Sequence, residues 1–320
     1  MAVSPTPEQW GYGYVNATER SGNWSLDPKA PEEFDLRHWL QILSLLISLV
    51  GLVGNGLVLW LLGFRIKRNP FSVSILNQAG ADAFYLCCYF VITTVDFVPY
   101  LHDSSLWLGM RNFGQLSYAV GLNFLAMIST ERCLSVLFPI WYRCNRPRHL
   151  SASICTLLWT VSILVWLALF VRCYLQQDDS TCHNTPVFIF VWILLLSSLL
   201  CVSSLTLLLK VQCTSWCQQP PRLYLLVLLN ALIFLLCGIP MGILEFLQFY
   251  HEVFMPFWVP LLLASVNSSA NPFIYFFMGI QRHRKRKDPL RVILQRALED
   301  QEFGDGARNS PHINMQEASS

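Results

Sequence analysis

Seven stretches of this chain are long enough and apolar enough to cross a lipid bilayer as helices. The hydrocarbon core of a bilayer is about 30 Å thick, so a spanning helix needs roughly 20 predominantly apolar residues. A buried helix of a soluble protein can mimic one such stretch but not seven, which predicts an all-α membrane protein, a bundle of seven transmembrane helices. The stretches are residues 39–64, 71–95, 112–130, 150–171, 184–209, 223–244 and 253–280.

The distribution of basic residues predicts how the bundle is oriented. Loops rich in Lys and Arg face the cytoplasm, and basic residues gather after the first, third, fifth and seventh stretches. They are Arg65, Lys67, Arg68, Arg143, Arg146, Arg148, Lys210, Arg222 and the basic run 282–287. We therefore expect an extracellular N-terminal arm, a membrane domain and a cytoplasmic tail. The three segments are residues 1–38, 39–280 and 281–320.

The tail and the arm carry further signals. Apolar residues at helical spacing over 288–299 predict a short amphipathic helix that lies on the membrane and contacts its lipids. In the arm, Asn16 and Asn23 each begin an Asn-X-Ser/Thr sequon, which predicts N-linked glycosylation. Cys173 and Cys182 are the cysteines that fall outside the membrane on the extracellular side. They are either two free thiols or a disulfide closing a small loop, and the oxidising surroundings favour the disulfide.

Asp82 is a charged residue inside the second stretch. A carboxylate at the middle of a spanning helix costs about 2.5–3.5 kcal/mol, so it should face the interior of the bundle. The polar residues expected around it are Asn55, Asn267, Ser268 and Asn271. Such a group suits a sodium ion or a shared proton; the alternative is a network of interhelical hydrogen bonds without an ion. No other cofactor and no metal centre is expected.

Two prolines lie inside the last two stretches, Pro240 and Pro272. Proline lacks the backbone donor and clashes with the preceding turn, so it kinks a helix. In hydrocarbon the released carbonyl needs a polar partner, which a neighbour such as Asn271 can supply. We therefore expect these kinks to be the points about which helix ends swing.

Glu131 and Arg132 follow the third stretch at the predicted cytoplasmic edge. An adjacent acid and arginine can form a pair that holds the arginine until a partner arrives. The alternative is a charge pair that only marks the membrane interface. The position before Phe138, Pro139 and a basic loop favours the first interpretation.

Taken together, these motifs resemble those of rhodopsin-like G protein-coupled receptors. Glu131-Arg132-Cys133 is similar to their DRY motif, and Asn271 to Tyr275 is similar to their NPxxY segment. Within that superfamily the chain resembles the Mas-related receptors, and the similarity runs from about residue 39 to residue 300. The segments that carry it are 54–65, 129–142, 146–152, 267–272 and 294–298.

The resemblance implies a plasma-membrane receptor that binds an extracellular peptide or small-molecule agonist and activates a heterotrimeric G protein, with arrestin as a further partner. Some Mas-related receptors bridge spans four and five, which fits Cys173 and Cys182. Gly238 departs from the superfamily, since most members have tryptophan there, so a tryptophan toggle cannot be the trigger. The residues implied in G protein coupling are Glu131, Arg132, Cys133, Ile140, Trp141, Arg143 and Tyr275.

Polar and aromatic residues near the predicted outer ends of the helices are the candidates for ligand binding, and their mixture favours a shallow polar site. They are Asp96, Arg111, Tyr118, Arg172, Glu245, Gln248 and Trp258. Two alternatives remain: an orphan or constitutively active receptor of the same fold, and a seven-span transporter, which should show two related halves. Neither an enzymatic activity nor a nucleic-acid partner is expected.

Overall fold

A computed structural model describes residues 36–66, 70–98, 104–147, 149–176, 178–214, 222–250, 258–280 and 289–299. The two sequons at Asn16 and Asn23 lie outside the described residues. Within the described ranges the chain forms helices and their connections. The first four helices are α1 (Leu36–Trp60, continued by a π-turn at Leu61–Arg65), α2 (Pro70–Phe97), α3 (Ser104–Leu137) and the short α4 (Pro139–Cys144). The others are α5 (Leu150–Phe170, continued by a π-turn at Val171–Leu175), α6 (Asp179–Thr214), α7 (Arg222–Ile233), α8 (Ile239–Tyr250), α9 (Trp258–Ile280) and α10 (Leu290–Glu299).

The helices occupy the predicted stretches. Five of them are long and apolar enough to cross a membrane by length and composition: His38–Arg65, Phe71–Phe97, Ser104–Leu137, Leu150–Cys173 and His183–Lys210. A shorter apolar segment, Leu228–Leu244, lies in the sixth stretch, and α9 occupies the seventh. The third helix extends beyond the predicted 112–130 at both ends, from Ser104 to Leu137.

The bundle is organised around α2, α3 and α9. Buried residues follow α3 without interruption from Val120 to Ser129, whereas α5 exposes large apolar side chains such as Leu157, Leu164 and Leu167. Because such a surface is unfavourable in water and favourable in lipid, it marks the outer face of the bundle. The apolar core therefore lies inside the bundle, at the interfaces of α1, α2, α3, α6 and α9.

The first and last spanning helices approach very closely at Gly51. A Cβ atom at this position would lie 2.2 Å from the Ser269 Oγ atom and 2.7 Å from the Leu86 Cδ1 atom. Only glycine leaves room for that contact. The close approach brings the polar residues of α9 against α1.

The sixth stretch is interrupted by a π-turn, Phe234–Gly238, which joins α7 to α8 just before Pro240. The Ile239 amide donates to the Phe234 carbonyl oxygen, five residues back. A Cβ atom on Gly238 would lie 2.6 Å from the Phe234 ring. The buried Phe234 ring therefore occupies the space that a side chain at position 238 would need.

The predicted amphipathic helix is confirmed as α10. Its Leu294 is fully buried in the apolar cluster that contains Val58 and Tyr275, while Leu290 remains exposed. This contact places α10 against the end of the bundle where Arg65, Arg132 and Arg146 lie. We call this the basic end, and the other end the opposite end.

At the opposite end, α6 begins with an N-terminal cap from Asp178. The carboxylate accepts hydrogen bonds from the Thr181 hydroxyl at 2.6 Å and from the Ser180 hydroxyl at 2.7 Å. These two hydrogen bonds, with that of Thr181 the stronger influence, lower the pKa of Asp178 to about 2. The Asp178 Oδ1 atom also accepts from the Thr181 backbone N–H at 3.5 Å, a group at the start of the helix that has no partner within it.

Candidate functional site

A polar cluster in the middle of the bundle joins α1, α2 and α9. The Asn271 amide donates to the Asp82 Oδ2 atom at 2.7 Å. The Asn55 amide donates to the Ser268 carbonyl oxygen at 3.1 Å and to the Gly51 carbonyl oxygen at 3.0 Å. All these side chains are buried. The structure thus brings together four residues that the sequence placed in one network: Asn55, Asp82, Ser268 and Asn271.

The remaining predicted members of this network hold different positions. Asn267 is buried on α9 one residue before Ser268. Pro272 is buried against Gly54, where an added Cβ would lie 3.1 Å from the Pro272 Cβ atom. Pro240 belongs to α8, beyond the π-turn of the sixth stretch, and its part in the network stays a prediction.

Two oxygen atoms of the cluster have the chemistry that a small cation requires. The Asn55 Oδ1 atom is buried without a hydrogen-bond partner, and the buried Ser268 Oγ atom faces the Asp82 carboxylate. On the α3 side, Gly121 lies so close that a Cβ atom would be 3.1 Å from the Asp82 Oδ1 atom. Helix α3 therefore offers no side-chain ligand at Gly121, and the oxygens that fit sodium come from α1, α2 and α9.

Tyr275 continues the polar contacts of α9 towards the basic end. Its hydroxyl donates to the Gln78 Oε1 atom of α2 at 3.2 Å, and both side chains are buried. Helix α9 is thus bonded to α2 at two levels, through Asn271 and through Tyr275. The sequence had indicated Tyr275 but not Gln78.

Glu131 is held by Arg146, in the connection that follows α3, and by Ser151, in the first turn of α5. The Glu131 Oε1 atom accepts hydrogen bonds from the Arg146 guanidinium and, at 2.9 Å, from the Ser151 hydroxyl. Arg146 also donates to the Tyr142 hydroxyl at 2.6 Å, and its guanidinium lies over the Tyr142 ring. Burial raises the pKa of Tyr142, so its hydroxyl stays protonated at neutral pH.

The expected pairing of Glu131 with Arg132 is therefore corrected. The ion pair of Glu131 is with Arg146, and the Arg132 guanidinium lies over the Phe71 ring, 3.4 Å from its centroid. Such a cation–π contact is stronger when both groups are desolvated, and Arg132 is only 2% exposed. In this arrangement a protein bound at the basic end has no access to Arg132.

The other predicted coupling residues follow Arg132 in the chain. Ile140 is 80% exposed, and Trp141 is also exposed, both on α4. Cys133 is partly buried in the apolar cluster that contains Ile128. The side chain of Arg143 lies outside the described residues. The exposed apolar residues Ile140 and Trp141 are suited to contact with another protein.

At the opposite end, α2 and α3 carry one group of ligand candidates. The Trp107 indole N–H donates to the Asp96 Oδ2 atom at 3.3 Å, and the Arg111 guanidinium lies 5.3 Å from the Trp107 ring centroid. Tyr118 is deeper, buried with its ring 5.2 Å from that of Tyr85. Trp107 thus connects an acid and a base, a role that the sequence did not indicate.

The candidates in the connection between α5 and α6 are more exposed. Arg172 lies 3.9 Å from Asp178, with its side chain 65% exposed. Cys173 is disulfide-bonded. The side chain of Cys182 lies outside the described residues, so its pairing with Cys173 stays a prediction. The side chains of Glu245, Gln248 and Trp258 also lie outside the described residues.

A second buried polar group, which the sequence had not indicated, lies between α1 and α2 towards the opposite end. The Tyr89 hydroxyl faces those of Ser44 and Thr93. Its buried members are Gln41, Ser44, Ser48, Tyr89 and Thr93. The signal was present in α1, because polar residues at 41, 44 and 48 share one face of an otherwise apolar helix.

Comparison with known proteins connects this architecture to one family. The chain is 43% identical to Mas-related G-protein coupled receptor member X2 of Rhinopithecus bieti over 316 residues, 93% of each chain. It is 43% identical to member X1 of Homo sapiens over 282 residues, 85% of this chain and 87% of the relative. It is 44% identical to member X2 of Homo sapiens over 275 residues, 81% of this chain and 82% of the relative. A family model described as serpentine type 7TM GPCR chemoreceptor Srx matches residues 45–216.

The buried ion pair of Arg146 and the exposed ion pair of Arg172 should contribute differently to stability. Arg146→Ala should lower the free energy of unfolding by about 3–5 kcal/mol, because it leaves the buried Glu131 carboxylate without its counter-charge. Arg172→Ala is the matched control and should leave it nearly unchanged, since exposed pairs are weak. Thermal unfolding of the purified, ligand-free protein measures both. Equal losses in the two variants would contradict a structural role for the Glu131–Arg146 pair.

Proposed function

The chain belongs to the Mas-related G protein-coupled receptors, and we propose that it binds an extracellular peptide or small-molecule agonist and activates a heterotrimeric G protein at its basic end. The family consists of seven-helix receptors, not enzymes or transporters. The observation that carries the proposal is the state of Arg132, which is buried over Phe71 while Glu131 is bound by Arg146 and Ser151. An arginine so placed is available to a partner only after the basic end opens.

The proposed mechanism is an equilibrium between this closed arrangement and an open one. A ligand shifts such an equilibrium only by its difference in affinity for the two arrangements. Opening moves α7 and α9 away from α3 and exposes Arg132 between the apolar residues Ile140 and Trp141. The G protein enters that cavity, and arrestin would use the same surface. By linkage, a bound G protein tightens agonist binding.

The polar contacts of α9 are suited to connecting the two ends. Asn271 is bonded to Asp82, and Tyr275, one turn further, is bonded to Gln78. A shift of α9 about Pro272 must change both bonds. A sodium ion held by Asp82, Asn55 and Ser268 would stabilise the closed arrangement, because movement of α9 separates its ligands.

We place the basic end in the cytoplasm and the N-terminal arm outside the cell, at the plasma membrane. The positive-inside rule supports this orientation. Agonist then reaches the opposite end, where Asp96, Trp107 and Arg111 form a polar and aromatic group. This group supports a shallow site for a ligand that carries hydrogen-bonding or charged groups.

The proposed orientation predicts glycans and one disulfide on the outer face. Peptide mass spectrometry of the receptor from mammalian cells should find glycans at Asn16 or Asn23 and, without reduction, a peptide joining Cys173 to Cys182. Asn16→Gln combined with Asn23→Gln is the control for the glycan signal. An unglycosylated arm at the cell surface, or a different partner for Cys173, would contradict the respective assignment.

The proposed sodium site predicts a salt-specific stabilisation. Sodium chloride, compared with equal potassium chloride, should raise the unfolding temperature of the ligand-free receptor but not that of Asp82→Asn, which removes the charge at nearly constant volume. At ten times its dissociation constant, a bound ion stabilises by about 1.4 kcal/mol. Asp178→Asn, which changes an outer carboxylate, is the matched control and should keep the sodium effect. An equal response of Asp82→Asn and the unmodified receptor would leave Asp82 as part of a hydrogen-bond network without an ion.

The role of Arg132 is tested by nucleotide exchange on purified G proteins. Arg132→Ala should reduce exchange to the level without receptor, while surface expression remains, because the residue that enters the G protein interface is lost. Arg65→Ala is the matched control, since Arg65 is an exposed arginine of the same end that lies over Trp60, and it should retain exchange. Exchange by Arg132→Ala equal to that of the unmodified receptor would overturn the assigned role.

A further inference from the structure

Helix α5 has little buried surface and depends on polar contacts for its position. Large apolar side chains such as Leu157 and Leu164 are exposed. Within α5, which the structure describes in full, only Ser151 and Cys155 are buried. Cys155 joins the apolar cluster that contains Phe124. Because lipid solvates apolar surface as well as a neighbouring helix does, a membrane helix of this kind is held mainly by directional bonds.

Two hydrogen bonds fix α5 in the middle of the bundle. The Trp159 indole N–H donates to the Asn77 Oδ1 atom of α2 at 3.2 Å. One turn further, the Ser162 hydroxyl accepts from the Asn123 amide of α3 at 3.3 Å. Ser151 lies on the same face as Ser162, because eleven residues make about three turns of a helix. These two bonds therefore fix the rotation of α5 that turns Ser151 towards α3.

Ser151 completes the contacts of the Glu131 carboxylate. Its hydroxyl donates to the Glu131 Oε1 atom at 2.9 Å and accepts from the Arg146 guanidinium, which also binds Oε1. The Glu131 Oε2 atom is buried without a hydrogen-bond partner. A hydroxyl both donates and accepts hydrogen bonds, so one serine bridges the two members of the ion pair. The carboxylate is thus held through a single oxygen atom, by Arg146 and Ser151.

We propose that Ser151 is a positioning residue for G protein coupling, whose hydroxyl holds Glu131 in the closed arrangement and is itself aligned by the two bonds in the middle of α5. The inference rests on the proposed function, since the closed arrangement is the one that buries Arg132. A bond made only in the closed arrangement lowers the fraction of receptor that a G protein can bind. Its loss therefore strengthens coupling, whereas the loss of a purely structural contact only reduces the amount of folded receptor.

Helix α5 also connects Glu131 with the opposite end. It continues into the π-turn that contains Arg172 and the disulfide-bonded Cys173. Rigid helices with two discrete positions can carry coupling between distant sites. A displacement of that π-turn reaches Ser151 along the helix without passing through α9. In this proposal α5 is a second route between the two ends of the bundle.

The experiment measures the affinity of the purified, ligand-free receptor for nucleotide-free heterotrimeric G proteins, which scales with the fraction of receptor in the open arrangement. Ser151→Ala should raise this affinity by about threefold or more, since it removes a hydrogen bond to a charged group from the closed arrangement alone. Thr156→Val is the matched control on α5, because the exposed Thr156 hydroxyl bonds to the Ala152 carbonyl oxygen of its own helix. It should leave the affinity within about twofold of the unmodified receptor.

A double-mutant cycle tests whether the middle of α5 acts through Ser151. Trp159→Phe removes the indole N–H and should also raise the affinity by about threefold, but by less than about twofold in the Ser151→Ala background. Three results would overturn the inference alone: no gain from Ser151→Ala or from Trp159→Phe, an equal gain from Thr156→Val, or the same gain from Trp159→Phe in both backgrounds. Unmodified receptor and variants that all bind no G protein would overturn the proposed function as well.

Discussion

The interior of a bundle that spans a membrane contains no bulk water, so its polar side chains must bond to one another or remain unsatisfied. In this receptor the hydrogen bond between Asn271 and Asp82, 2.7 Å long, is the centre of that arrangement. It joins α9 to α2 at mid-membrane, and Asn55 joins α1 to the backbone of α9. The close approach at Gly51 makes this geometry possible. The position of α9 thus depends on directional bonds as well as on apolar packing.

Directional bonds also explain how such a bundle can have two arrangements. An apolar core resists continuous deformation because its packing is dense, whereas a hydrogen bond can be exchanged for another of similar strength. The polar groups of α9 lie one turn apart, at Asn271 and Tyr275, and both bond to α2. Movement of α9 requires only that these bonds be replaced. In the proposed mechanism this exchange transmits the effect of the ligand to the basic end.

The basic end is closed by contacts that come from three separate parts of the chain. Phe71 at the start of α2 covers Arg132, and Arg146 and Ser151, from the connection to α5 and its first turn, bind Glu131. In the sixth stretch, the shape of the helix likewise depends on a contact between particular side chains. Since Gly238 leaves a space beside the π-turn, the Phe234 ring occupies it, and the helix is irregular at the place where a larger side chain is usual in the superfamily.

Hydropathy, charge distribution and a few motifs determined the class of this protein from its sequence alone. Seven apolar stretches of spanning length have one reasonable fold, and an intramembrane Asp82 must face inwards, because both conclusions depend only on the free energy of transfer to lipid. The partners of the polar residues were decided by the tertiary structure. Because Glu131 and Arg132 are adjacent in the sequence, an ion pair between them was the natural expectation. The side chains of neighbouring helical residues diverge by about 100°, however, and the connection after α3 brings Arg146 to the Glu131 carboxylate instead. Gln78 had no distinctive local pattern, since what distinguishes it is the packing of α2 and α9 around Tyr275.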